Sequence, residues 1–212
     1  MWWRRPHRPQ TLSEQISNPL HAQVTNNDCT AALTGVLLNE FVGTWVNDPI
    51  ATSTANNKLF QLKSAQKAGF TIPRTLVSQD PTAIRAFFSE VQERMVIKAV
   101  RGTVQVPLLT TMVHGDDLSK DVDASLRVCP AIYQEYVPGT QHIRAHCFGD
   151  AVYAALIESD TLDWRANYDV PMRELEISDS LKAQLLSVLK ILGLKMGICD
   201  LKIATSGEPV WL

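Results

Sequence analysis

Two runs of alternating residues, HIRAHCF and AVYAALI, stand on either side of Gly149-Asp150. A Gly-Asp pair between such runs signals a hairpin, because glycine takes the positive φ of a tight antiparallel turn without steric cost. A second hairpin is expected near the end, where MGICDLKIA and PVWL flank a turn at TSGE, with a last strand ending on Trp211-Leu212 that would leave an apolar edge unpaired. MVIKAV and AIYQEYV read as strands from their β-branched and aromatic content, and FTIPRTLVS as an extended segment. Helices are interleaved with them. The spacing of Leu33, Val36, Leu37 and Phe41 predicts a short helix over Ala31–Phe41, broken by the turn residues of WVNDP. A further helix would carry Ala55, Leu59, Leu62 and Ala65 on one face and stop at Gly69. Asp80 suits an N-cap and Pro81 the first helical position, ahead of a stripe of Ile84, Phe87, Phe88 and Val91. Ser178 to Leu192 is amphipathic, and Gly193 ends it. The class is α+β. Residues 1 to about 30 lack clear periodicity and read as an extended arm or the remnant of a preceding domain.

Bulk properties narrow the function. At 212 residues the chain can form one large domain or two small lobes, and 45% hydrophobic with 20% charged residues is ordinary for a globular protein. A formal charge of -2 argues against a nucleic-acid binder, and the one basic cluster, Arg4 to Arg8, reads as a solvated tail. The N-terminus lacks the apolar stretch of a secretion signal, and no run approaches a membrane span. Cys29, Cys129, Cys147 and Cys199 are too scattered for a zinc or disulfide framework, which suggests reduced core thiols and a cytosolic protein.

Several charged residues interrupt apolar strands. Lys98 in VIKAVRG is either a solvated lysine or a fixed cation for a phosphate. Gln134 and Glu135 run into Val137-Pro138-Gly139, where extended backbone and an apolar wall of Tyr136 and Val137 would suit a flat base; a plain edge strand is the alternative. Arg144 offers a planar fork to an anion, with His142 and His146 on its face of the strand. Asp163, Arg165 and Asn167 cluster in a loop that would hold a transferring phosphoryl group. Asp200, on a strand with little to pair with, is a Mg²⁺ ligand candidate, and Lys202 repeats on its face. Cations for phosphates, an extended hinge for a base and an acid for a metal make the inventory of phosphoryl transfer. A P-loop and a G-x-S-x-G nucleophile elbow are both absent from the sequence.

The order of Asn57-Lys58 with Gln61-Leu62, GFTIPRTLVS, VIKAVRG, YQEYVPG, HIRAHCFGD, DWR and GICDLK resembles the ATP-grasp superfamily. Within it the chain is most similar to the RimK-type glutamate ligases and the ribosomal-peptide maturases called graspetide macrocyclases, from about Trp45 to Leu212. That extent implies a division into an N-terminal segment 1–44 and a main domain 45–212. The resemblance implies a nucleotide clasped between two α+β lobes. Lys58 and Lys98 would bind ATP phosphates, and Gln134, Glu135 and Val137 would form the adenine hinge. Arg144 and Arg165 would serve the γ-phosphate and acceptor region, and Asp200 would bind Mg²⁺. Such enzymes use ATP to phosphorylate a carboxylate, and an amine or hydroxyl then attacks the acyl phosphate. The resemblance also implies a precursor peptide as substrate and a homodimer, while the charge and the lack of an apolar span leave out nucleic acid and membrane as partners. His142 stands where the family has Asp, RGTVQVP has a single glycine where the family's lid loop has several, and a Glu-x-Asn pair would follow PVWL. The chain is therefore expected to be truncated at both ends. An inactive ATP-binding fragment and a small-molecule phosphotransferase are the alternative readings.

Overall fold

Asn18 and Pro19 start a helix whose first half the apolar pattern does not announce. In the computed structural model, which describes residues 1–3, 16–102, 108–167 and 169–212, α1 runs Pro19–Glu40, and the Asn18 side chain accepts from the Leu20 N–H at 2.9 Å. Proline at the first position costs nothing there, because its missing N–H would have had no helical partner. None of its residues is buried. The expected arm and short helix are therefore corrected to one 22-residue helix. The Arg4–Arg8 cluster and residues 103–107 lie outside the described residues.

The chain divides into two units, Met1–Pro49 and Ile50–Leu212. In the first, Trp3 and Val46 exchange backbone bonds with the opposing segment: Trp3 N–H donates to Val46 O and Val46 N–H to Met1 O, both at 2.7 Å. Trp45 meets the Trp3 and Phe41 rings edge-on, with centroids 5.9 and 4.9 Å away.

The second unit has two antiparallel sheets. The smaller has strand order β1-β4-β2-β3, from β1 (Thr75–Ser78), β2 (Met95–Lys98), β3 (Thr111–Val113) and β4 (Ala131–Glu135). Helix α4 (Pro81–Glu90) covers it, begun by Asp80, whose side chain accepts from the Thr82 N–H at 3.1 Å. Ile84, Phe87, Phe88 and Val91 pack there with Met95, Val113 and Tyr133, and each such side chain removed from water contributes about 1.5–3 kcal/mol. A one-turn helix, α5 (Asp123–Leu126), is tied to α4 by the Arg85–Asp123 ion pair.

The larger sheet runs β7-β6-β5-β8-β9, from β5 (Gln141–Phe148), β6 (Ala151–Glu158), β7 (Met172–Leu175), β8 (Met196–Ile203) and β9 (Pro209–Trp211). Both expected hairpins are present, β5–β6 and β8–β9. Helices α3 (Lys58–Lys67) and α6 (Asp179–Leu192) pack on it through Leu62, Ala65, Leu185, Val188 and Leu189 against Ala145, Cys147 and Leu201. Ser178 caps α6 by accepting from the Leu181 N–H, and Gly193 ends it at φ 71°.

Three further expectations change. The single helix through Ala55 and Leu59 is two, α2 (Pro49–Ala55) and α3, because the Asn57 side chain caps a new start by accepting from the Phe60 N–H at 3.0 Å. Ala55, Leu62 and Ala65 are buried, whereas Leu59 is 42% exposed. Trp211 does not leave an apolar edge unpaired: its N–H donates to Thr71 O at 3.0 Å, and its buried ring tilts against Phe70. The cysteines are free, but only Cys147 and Cys199 are core thiols, while Cys29 and Cys129 are exposed. No helix among the described residues is long and apolar enough to cross a membrane.

Candidate nucleotide site

Residues of both sheets line a cleft of about 250 Å³, and the side chains that enter it follow from strand alternation. Lys98, at the end of β2, turns into the cleft, where its Nζ donates to Gln134 Oε1 at 2.6 Å. Gln134, 1% exposed on β4, is itself oriented because its Nε2 donates to Thr75 Oγ1 at 2.9 Å. A lysine held by a neutral acceptor keeps its charge available for a ligand. Burial, followed by the nearby Lys58, brings the Lys98 ammonium down to about 8.

Lys58 enters from the first turn of α3 and donates to Ala99 O at 2.6 Å. Its ammonium is lowered by burial and then by Arg165, against the pull of Asp163. Asp163 and Arg165 sit in the turn before β7 and face each other in a fork: Nε to Oδ1 at 2.8 Å and Nη2 to Oδ2 at 2.6 Å. Two backbone donors add to these, the Thr110 N–H to Oδ2 and the Arg165 N–H to Oδ1, both at 3.2 Å. Burial pushes the Asp163 carboxyl up, but the bonds and charge of Arg165, with those backbone donors, hold it at about 2. It is therefore a permanent anion that aims the Arg165 guanidinium.

Beyond Gln134 a small pocket of about 30 Å³ adjoins the cleft, lined in part by Val96, Glu135, Tyr136, Val137 and Leu212. Arg74 pulls the Glu135 carboxylate outward by two bonds, at 3.1 and 3.2 Å, and holds that carboxyl below its usual range. The Tyr136 N–H donates to Arg94 O at 2.8 Å, and among the described residues the Val137 backbone makes no hydrogen bond. The segment is thus an extended hinge with an unused N–H beside an apolar slot.

The expected site residues are brought together with two changes. Asp200 is not short of partners: Arg144 lies directly opposite on β5, and its Nη1 donates to both carboxylate oxygens at 2.8 and 3.0 Å. Burial nevertheless pushes the Asp200 carboxyl up, against the pull of Arg144. Arg144 does not line the cleft itself; it stands behind Asp200 with its guanidinium carbon 5.1 Å from the Trp164 ring centroid. Gln134 acts through its side chain on Lys98, whereas Glu135 and Val137 border the small pocket. His142 lines the cleft, and Asn167 is spent on its own turn, accepting from the Asp169 N–H at 2.9 Å. Thr110 and Trp164 were not singled out from sequence, and Asp163 was noted without a separate role. The Asp-x-Arg spacing in a turn was the available signal for Asp163; nothing local marks Thr110.

Among the described residues no three His, Cys, Asp or Glu side chains converge as a metal cluster. Asp200 still fits a cation that takes most of its ligands from phosphate and water, as Mg²⁺ does. The ion pair engages a single Arg144 nitrogen, and a carboxylate has about four lone-pair positions.

No protein-family model matches the chain, and no curated protein does. Solved structures do. The macrocyclase MdnC of Microcystis aeruginosa MRC, bound with precursor peptide MdnA, superposes with a TM-score of 0.87 at 25% identity over 100% of this chain and 68% of that one. The ATP-grasp ligase PsnB, complexed with a phosphomimetic variant of its minimal precursor, Mg and ADP, gives 0.80 at 29% identity over 92% and 61%. The chain has the ATP-grasp fold. The macrocyclase MdnB of the same Microcystis strain gives a TM-score of 0.78 at 29% identity over 100% of this chain and 67% of that one. These likenesses support the graspetide maturase branch of the ATP-grasp superfamily. The chain spans between 61% and 68% of the length of these three structures.

Proposed function

We propose that the chain is an ATP- and Mg²⁺-dependent ligase that joins a carboxylate to an amine or hydroxyl on a ribosomally made peptide. The observation that carries this reading is the convergence of Lys58, Lys98 and Arg165 on one cleft, next to an extended hinge and an apolar slot. Lys58 and Lys98 bind the triphosphate. The substrate carboxylate oxygen attacks the γ-phosphorus, the bond to the β-phosphate oxygen breaks, and ADP leaves an acyl phosphate. Arg165, aimed by Asp163, stabilises the equatorial oxygens during transfer. The amine or hydroxyl then attacks the acyl carbon and inorganic phosphate departs. Asp200, positioned by Arg144, would hold Mg²⁺, which would supply charge neutralisation for the phosphates.

Incubation with ATP, Mg²⁺ and candidate precursor peptides tests this. One ADP and one phosphate should form for each water lost from the peptide mass, at turnover on the order of 1–10³ s⁻¹. Nucleotide binding without any product points instead to a binding fragment, and a stable phosphorylated product to a phosphotransferase. Four free cysteines support a reducing cytosolic setting. A homodimer belongs to the same reading; light scattering at micromolar concentration checks it.

A further inference from the structure

Lys202 lies on β8 two residues beyond Asp200 and shares its face of the strand. It is 3% exposed, and its Nζ lies 5.2 Å from the centroid of the Tyr136 ring. Apart from that ring, among the described residues the ammonium has neither a hydrogen bond nor an ion pair. Directly across the ladder is His142, 4% exposed, whose Nε2 also lacks a partner. Burial first, then the Lys202 charge, push the imidazole down to about 4, so near neutral pH it is uncharged. It therefore adds no second cation, and it offers no counter-charge. The residue is buried while its Nζ opens into a pocket, so the ammonium is held by a packed stem and is free to donate to an acceptor that a ligand brings.

The position of Lys202 says which part of a ligand that is. It lines the small hinge pocket with Val96, Tyr136, Val137 and Leu212 and not the larger cleft, whereas Lys58 and Arg165 line only the cleft and Lys98 and Gln134 border both. Among the described residues Lys202 is thus the one cation of the small pocket that does not also line the phosphate cleft, among apolar walls that suit the nucleoside end of a nucleotide. Gly139 keeps this arrangement tight: at φ +136°, a Cβ there would stand 2.4 Å from Ile203 O and 3.9 Å from Lys202 Cε.

We infer that Lys202 is the nucleoside-selecting residue of the site, its ammonium donating a hydrogen bond to an acceptor on the base or ribose while its stem packs along the slot. The inference rests on the nucleotide-binding reading above. Binding of ATP, adenosine, adenine and inorganic tripolyphosphate to the parent chain and to Lys202→Met, by calorimetry or ligand-observed NMR, tests it. Lys202→Met should weaken ATP and adenosine by about tenfold or more, the usual effect of losing a charge-assisted bond, and leave tripolyphosphate unchanged. If adenine weakens as well, the acceptor is a ring nitrogen; if only adenosine and ATP weaken, it is a ribose hydroxyl. Lys202→Gln, which keeps a neutral donor, should lose less than Lys202→Met, and it carries the test should the methionine variant not fold. Equal adenosine binding by parent and variants overturns the inference, as does an equal loss of tripolyphosphate. A parent chain that binds neither ATP nor adenosine overturns the nucleotide reading and this inference with it.

Discussion

Lys98 is bonded to Gln134 and crowded by Lys58 and, farther off, by Arg165 and Lys202, and burial adds most to lowering it from 10.5 to about 8. Only the charged form attracts phosphate. Nucleotide affinity is therefore full below pH 8 and declines above it, by up to about tenfold per pH unit. Titrations from pH 7.5 to 9.5 in buffers of different ionisation heat should show proton uptake on binding; a flat profile with no uptake removes Lys98 from the phosphate site. Asp163 makes the opposite kind of statement. Its carboxyl is held at about 2, so its contribution to stability is complete above the unfolded value near 4 and disappears as pH falls through 2. Asp163→Asn should lower stability at pH 7 by about 1–2 kcal/mol, discounted because the Arg165 side chain is 49% exposed. The difference between parent and variant should fade from pH 4 to pH 2 in denaturant melts. These residue types were legible in VIKAVRG and DWR. Their partners were not, since the Gln134 bond to Lys98 and the Arg144 bond to Asp200 depend on cross-strand register, which local sequence leaves open.

Elements with a chemical start or stop were readable: Asp80-Pro81, Ser178, Gly193 and the Gly149-Asp150 turn all mark real boundaries. Of helix α1 only the second half was expected, as the helix over Ala31–Phe41; the first half was missed because no residue in it is buried, and the Asn18-Pro19 start was the one usable sign. Strands β3 and β7, three and four residues long, are too short to show alternation. The Gly139 loop joins β4 to β5 and so links the two sheets. Gly139→Ala forces a side chain into Ile203 O as well as into a left-handed φ. A loss of about 2 kcal/mol or more in chemical denaturation is expected, with weaker adenosine binding from the displaced hinge. A variant as stable as the parent would show that the loop relocates freely.

At the scale of the second unit, the site exists only when both sheets are folded, because Lys98 and Gln134 come from one and His142 and Asp200 from the other. Lys58 already joins them, since it starts a helix packed on the larger sheet and bonds to Ala99 at the end of β2. ATP at about a hundred times its Kd should raise unfolding stability by about 2.7 kcal/mol in a single shifted transition. Two transitions, only one of them moved by ATP, would confine the site to one sheet. The α+β class was readable along the chain, but which distant side chains meet is a property of the topology.

The distribution of charge has a kinetic consequence. Among the described residues, Lys58, Lys98 and Lys202 face the cleft and hinge pocket without a carboxylate partner, while Asp163, Asp200 and Glu135 there are each tied to an arginine, in a chain whose formal charge is -2. Positive potential is thus focused at the concave site, away from the overall sign of the molecule. Polyanions should be drawn in faster than diffusion of neutral bodies allows, with an association rate that falls steeply as added salt shortens the Debye length. Adenosine, which has no charge to steer, should arrive at a rate that salt leaves nearly unchanged.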